Sequence, residues 1–340
     1  MNRKDFGKIL NATVIPEWAS QEEVDNLLSP IADAKVQMMP DSLFRFRAFD
    51  SFSLDAFRSG KIYMRTADKY NDPYDTLGRY DLEEIKKGVN AMVSCETLGR
   101  LKEWLEQGHD FSEHFKQIFP GEMVKAFREK LLSIEDVKTV EEGITRSKIL
   151  MISSIETWFP VISEMSKRLY TTACFCEDVQ NMLMWSHYAD SHRGFALEYD
   201  FRTLLKHPIN NVGLYPVVYG EERVDVSTFI GWMFLYMNGV TSKKPDIFST
   251  IKNSLFKSSV WEYEKEWRLI DFSPREVTDD MASAISYEPV AIYYGRHISK
   301  ENKQMLHSIA QEKGIKEYEM FVDYASSVYE MRWRVIREEE

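Results

Sequence analysis

The sequence predicts an α+β fold: a mixed or antiparallel central sheet with helical insertions. Three observations predict it. An early segment, LFRFRAF at 43–49, splits by strand alternation into one face that carries Arg45 and Arg47 and one that is wholly apolar. A cluster of short segments rich in β-branched and aromatic residues follows residue 169. Between them, residues 80–168 carry helical periodicity almost without interruption.

In chain order, residues 1–40 read as an N-terminal helical leader. Ser20 is its N-cap, Glu22 and Glu23 fill the first turn, and Val24, Leu27 and Leu28 recur at helical spacing. In LFRFRAF, Leu43, Arg45, Arg47 and Phe49 share one strand face, with Phe44, Phe46 and Ala48 on the other. SLDAFRSG is a short helix closed by Gly60. KIYMRTAD is a second strand, and KYNDPYD is a turn built on Asn, Asp and Pro73.

Residues 41–340 read as a single α+β domain, interrupted at about 80–168 by a helical insertion that includes DFSEHFKQIF. Past it, LYTTACFCED is a strand and NMLMWSHYADSH a helix, and Gly194 marks the turn into the strand GFALEYD. VGLYPVVYG reads as one more strand, and residues 225–258 as largely helical. EWRLID and VAIYYG are strands, and KENKQMLHSIAQEKG is a capped helix ending at Gly314. KEYEMFVDY and SVYEMRWRVI close the chain as a hairpin or edge pair.

Composition narrows the function. The net charge of −11 argues against a broad nucleic-acid surface, which needs an excess of Lys and Arg. Three widely split cysteines make no disulfide framework. No signal peptide and no run of about 18 apolar residues appears, so no membrane is expected and the chain is expected in the cytoplasm. GxSxG, GxGxxG and Walker A patterns are absent. Any site is therefore assembled from distant segments.

Four segments carry the candidate chemistry. Arg45 and Arg47, side by side on one strand face, suit a phosphate or carboxylate held in a cleft, or a solvated sheet edge. Asp72 and Asp75 in NDPYD face a ligand or metal, or serve only the turn. His187 and His192, five apart, miss the spacing of a zinc helix. Cys174 and Cys176 share a strand face and either ligate a metal with His187 or sit in the core as small buried cysteines; His187 otherwise fits a pocket rim or a bond within the fold. In WEYEKEWRLI, 261–270, a strand beginning near Glu264 puts Glu264, Glu266 and Arg268 on one face; a helix instead pairs Glu264 with Arg268. Carboxylates two apart on a strand repel unless a positive group stands between them, either an arginine from a neighbouring strand such as Arg45 or a ligand that develops positive charge.

LFRFRAF, YNDPYD, CFCED through WSHYADSHRGFALEYD, and KSSVWEYEKEWRLI together resemble the bacterial family known as domain of unknown function 2971, over roughly residues 43–300. That family shows an early Y-R or F-R strand, an F-N-D-P-F/Y-D loop, a W-x-H-Y-A-x-x-H-x-G segment and a final K-x-x-x-W-x-Y-E-x-E-W-R segment. Here Tyr70 stands where Phe is commoner, and Lys257, Trp261, Tyr263, Glu264, Glu266, Trp267 and Arg268 match the last. The family brings no activity with it.

The order arginine, hydroxyl strand, Glu-x-Glu also resembles the ADP-ribosyltransferase pattern. The resemblance implies NAD as substrate, with no metal expected. It implies that Arg45 contacts phosphate or ribose, that Thr171 or Thr172 supports the nicotinamide end, and that Tyr63 or Tyr70 stacks. Glu266 would hold a ribose hydroxyl and stabilise an oxocarbenium-like transition state, with Glu264 as its partner. The middle strand departs from the pattern, reading TTAC rather than S-T-S. Three functions stay open: an NAD-using transferase or glycohydrolase, such as a toxin or phage-defence effector; a metal-dependent nuclease or phosphoesterase using Asp72, Asp75, Glu264 and Glu266; and a noncatalytic recognition module. The target, macromolecular or small, is not specified.

Overall fold

The computed structural model describes residues 1–15, 20–92, 94–110, 121–136, 139, 141–206, 209, 212–227, 229, 247–273 and 282–336. The strands are β1 (Leu43–Arg47), β2 (Lys61–Arg65), β3 (Thr171–Cys176), β4 (Phe195–Tyr199), β5 (Val212–Pro216), β6 (Val218–Gly220), β7 (Phe256–Ser258), β8 (Glu266–Asp271), β9 (Ala282–Ser286), β10 (Ala291–Tyr294), β11 (Lys316–Val322) and β12 (Met331–Val335). The helices are α1 (Arg3–Ala12), α2 (Gln21–Met38), α3 (Ser51–Ser59), α4 (Leu82–Met92), α5 (Cys95–Glu106), α6 (Gly121–Ser133), α7 (Glu141–Ser166), α8 (Met182–Tyr188), α9 (Arg202–Lys206), α10 (Ile247–Asn253) and α11 (Lys300–Lys313).

Ten strands form one mixed, mostly antiparallel sheet, in the order β12-β11-β10-β4-β1-β3-β2-β9, with β8 on β3 and β5 on β8. This is the expected α+β class. Strand parity divides the core. Phe195 and Leu197 of β4 pack with Phe175, Trp267, Phe57 of α3 and Leu306 of α11 on one face. Ala196 packs with Phe44, Phe46, Trp185 of α8 and Tyr293 on the other. Each fully buried large apolar side chain, such as Phe195 or Leu306, contributes about 1.5–3 kcal/mol. The α11 crossover makes β10 and β11 parallel, and β12 returns antiparallel to β11 as the expected edge pair.

The local signals act as the residues dictate. Ser20 and Glu23 form a reciprocal capping box at α2. Gly60 and Gly314 close α3 and α11 in left-handed conformation, at φ 62° and 63°. Helices α4 to α7 occupy the expected insertion, where Ile85 and Val89 meet Ile155 and Phe159. Its neck is tied by the Ala67 amide donating to the Lys167 carbonyl at 3.0 Å. Residues 111–119 of DFSEHFKQIF and much of the 225–258 stretch lie outside the described residues, but α10 falls where a helix was expected.

Two expectations need correction. Helix α8 stops at Tyr188, because Asp190, Ser191 and His192 all take positive φ (47°, 53° and 67°). Asp and His tolerate that region better than most residues. The chain then passes so close to β1 that a Cβ on Gly194 would lie 2.0 Å from the Arg47 carbonyl oxygen. VGLYPVVYG is two strands, β5 on β8 and β6 on β7, with Val217 between them donating instead to the Glu266 carbonyl at 2.9 Å. No described helix is long and apolar enough to cross a membrane.

Candidate functional site

A strand has two edges. One edge of β3 pairs with β8 along its whole length, from Thr171 opposite Asp271 to Cys176 opposite Glu266. The other edge is shared: β1 meets it at Cys176, through Phe44, and β2 meets it at Thr172, through Arg65. Between those points β1 and β2 part, and a cavity of about 610 Å³ opens over Thr172, Cys174 and Cys176. The size is that of a small-molecule site.

One wall is a buried ionic cluster. Arg268, fully buried, donates from Nη1 and Nη2 to Asp75 Oδ1 and Oδ2 at 2.7 and 2.6 Å, and from Nε to Glu266 Oε1 at 2.7 Å. The Lys257 ammonium donates to Glu264 Oε2 at 2.6 Å and Glu266 Oε2 at 3.2 Å, and lies 3.7 Å from Asp75. Tyr188 Oη donates to Glu264 Oε1 at 2.6 Å. Three carboxylates thus share two cations, satisfying charges that would be costly to bury alone.

The two glutamates are tuned apart. Burial pushes the Glu266 carboxyl upward, but Arg268 and Lys257 outweigh it and hold it well below the usual range. Burial raises Glu264, Lys257 pulls it back, and the charge of Glu266 pushes it up again, leaving it above its ordinary value. Carboxyls separated in this way suit distinct acid–base roles.

The opposite wall is basic. Arg45 Nη2 reaches across the split to the Tyr63 carbonyl at 2.7 Å, with its guanidinium 5.6 Å over the Phe175 ring. Burial, aided by Arg47, draws the Arg45 pKa down to about 9. Arg65, on the same face of β2 as Tyr63, lies 5.1 Å over Phe52. Among the described residues, none of these three arginines has an ion pair, although Asp50 attracts Arg47 from nearby. Phe52 and Tyr63 pair at the cavity edge with centroids 4.9 Å apart.

Of the residues singled out from sequence, Glu264, Glu266, Arg45, Arg47, Tyr63, Tyr70, Thr172 and His187 all line this cavity. Thr171 does not: strand alternation turns it away, and its hydroxyl lies 2.5 Å from that of Ser283. His187 sits at the rim, Nδ1 3.1 Å from Tyr263 Oη. Thr172 is 3% exposed, and its hydroxyl oxygen has no hydrogen-bond partner among the described residues. Asp72 faces a second cavity of about 360 Å³, apart from Asp75.

The reading of WEYEKEWRLI as a strand from Glu264 is corrected. Ser259–Glu264 is a 3₁₀ turn, and Lys265 at φ 43° reverses the chain before β8 begins at Glu266. The glutamates therefore do not share a strand face; Lys257 joins them from β7, and the positive group between them is this lysine rather than Arg45. It also stands among the carboxylates to which the nuclease reading gives a hard cation. Cys174 Sγ contacts Tyr70 Oη, and Cys176 Sγ contacts the Asp178 carbonyl. Among the described residues, no three His, Cys, Asp or Glu side chains are grouped to hold a metal ion.

Sequence reasoning missed the roles of Lys257, Tyr188 and Arg65. The alternation of KIYMR already placed Arg65 beside Tyr63, so that signal was present. Lys257 and Tyr188 act through contacts across 7 and 76 residues to Glu264. No periodicity reports such contacts.

Residues 184–269 match the model of a family described as Protein of unknown function (DUF2971). The match runs from within α8 into β8, includes Lys257, Glu264, Glu266 and Arg268, and bears out the family resemblance over that stretch. No curated protein and no solved structure matches the chain.

Proposed function

We propose that the cleft binds NAD and cleaves the bond between its nicotinamide and ribose, as an NAD glycohydrolase or an ADP-ribosyltransferase. One observation carries the reading: a wall of three arginines that make no ion pair among the described residues faces a pair of differently tuned glutamates within one cavity of about 610 Å³. The diphosphate matches Arg45 and Arg47, whose fork geometry suits phosphate oxygens. Tyr63 and Tyr70 offer rings for stacking, and the Thr172 hydroxyl offers a hydrogen bond to the bound ligand.

In the reaction, the glycosidic bond breaks and nicotinamide leaves with the electron pair. Positive charge develops on the ribose. Glu266, held ionised by Arg268 and Lys257, stabilises that charge without reorganising. Glu264, with its raised pKa, accepts the proton of the incoming water or acceptor group, and Tyr188 fixes its orientation. NAD is a cytoplasmic metabolite, and its consumption would suit a toxin or phage-defence effector.

The test is nicotinamide release from NAD by the pure protein and by Glu266→Gln. Release by the wild type alone supports the reading. Equal release by both, or none in any condition including added macromolecular substrate, overturns it. Binding of NAD with no turnover would favour a recognition module, which the internal pairing of Glu266 would also suit.

A further inference from the structure

Glu266 is the first residue of β8, directly after the left-handed Lys265. Its ladder is one-sided there: β3 pairs with it through Cys176, but β5 ends opposite Trp267. Strand ends fray unless something else holds them, and three groups hold this one from behind the cleft. The Glu266 amide donates to Tyr219 Oη at 2.7 Å. Its carbonyl accepts from the Val217 amide at 2.9 Å and from Arg3 Nη1 at 2.8 Å.

Arg3 does more than cap one carbonyl. Nη1 also donates to the Val217 carbonyl at 2.5 Å, and Nη2 to Glu177 Oε1 at 2.7 Å. The same Glu177 oxygen accepts the Trp267 indole N–H at 2.6 Å. The guanidinium lies 5.6 Å over the ring of Tyr219, which holds the Glu266 amide. One side chain thus touches the Glu266 carbonyl, the Val217 carbonyl, Glu177 and the Tyr219 ring, yet it is not among the residues lining the cavity.

Helix α1 is built to deliver it. Phe6 and Leu10 are fully buried, and the Lys252 ammonium donates to the Thr13 carbonyl at the far end. A Cβ on Gly7 would lie 2.9 Å from Val218 Cγ1, so glycine lets the helix lie close on β6.

We propose that Arg3 is a positioning residue: it sets the place of Glu266 in the cleft from the far side of the strand. Its catalytic consequence rests on the NAD-cleaving reading; its geometric one does not. Helix α1 then belongs to the working site, and is more than a leader ahead of it.

The experiment compares wild type, Arg3→Gln, Arg3→Lys and, as a control on the same helix, Lys8→Ala. Two readouts are taken: NAD turnover, and hydrogen exchange of the amides of residues 266–268. The proposal expects Arg3→Gln to lower kcat about 10- to 100-fold, the scale of a roughly 1 Å misplacement, with KM within about twofold. It expects exchange at 266–268 to rise about tenfold while the rest of β8 is unchanged, because local opening is what Arg3 suppresses. Arg3→Lys should restore part of both, and Lys8→Ala should change neither. A uniform rise in exchange through β8, or no rise, overturns the proposal, as does a loss confined to KM. If the wild type releases no nicotinamide, the NAD reading fails, and the exchange measurement alone decides the positioning role.

Discussion

Arg268 grips Asp75 by both carboxylate oxygens, at 2.7 and 2.6 Å, joining β8 to the NDPYD turn across 193 residues of chain. Both side chains are about 1% exposed. Removing one partner strands the other charge in the core. Arg268→Ala should therefore cost about 3–5 kcal/mol in a urea titration. The double variant Arg268→Met with Asp75→Asn should cost clearly less than the sum of the two single changes. Strict additivity would mean that the pair is not coupled.

Thr172→Val separates stability from ligand binding. The hydroxyl oxygen has no partner among the described residues, so replacing it with a methyl group of similar shape should leave the unfolding midpoint unchanged or raise it slightly. Affinity for ADP-ribose, measured by calorimetry, should fall several-fold. A destabilised variant with unchanged affinity would show that the hydroxyl serves the fold.

The two glutamates should give opposite pH signatures. The folded Glu266 carboxyl lies below its ordinary 4.5, so its stabilising contribution is present above pH 4.5 and lost as pH falls below it. Glu266→Gln should flatten the acid limb of a stability–pH profile. The folded Glu264 carboxyl lies above 4.5, so as pH rises past that value the unfolded chain ionises first and stability declines. Glu264→Gln should remove that decline, and with it the rise of turnover with pH expected of a base. Denaturation midpoints measured from pH 3 to 8, at roughly half-unit steps, check the signs.

Arg45→Ala and Arg47→Ala should each weaken ADP-ribose binding about 10-fold or more, since a charge-assisted bond to phosphate contributes roughly 1.5–3 kcal/mol. Affinity for the wild type should fall as salt rises, and less steeply for the variants. An unchanged salt slope would remove these arginines from the anion site. Arg45→Ala should also loosen the split, because its bond to the Tyr63 carbonyl is lost.

Much of this was legible because a strand's period is two. Alternation in LFRFR placed Arg45 and Arg47 together, and parity in EWRLI kept Arg268 on the face of Glu266. Capping residues fixed the start of α2 and the ends of α3 and α11. What stayed hidden depends on contacts between distant segments. Lys265 adopts a left-handed φ that its residue type does not announce, which moved the strand start by two residues and put the glutamates on different elements. Thr171 and Thr172 looked equivalent as neighbouring hydroxyls, and only the direction of β3 in the sheet distinguishes them. Arg3 carried no pattern, since its partners lie 174 to 263 residues away.

The shared edge of β3 gives a bound molecule a mechanical part to play. Where β1 and β2 diverge, the sheet is bridged by one arginine side chain in place of a backbone ladder. Anything that spans from Arg45 of β1 to Arg65 of β2 would act as a short missing rung between two ribbons. Occupancy should then be felt far along the sheet, as slower hinging of the β2–β9 ribbon against the rest. The cleft would thus report its own filling through the stiffness of the scaffold that forms it.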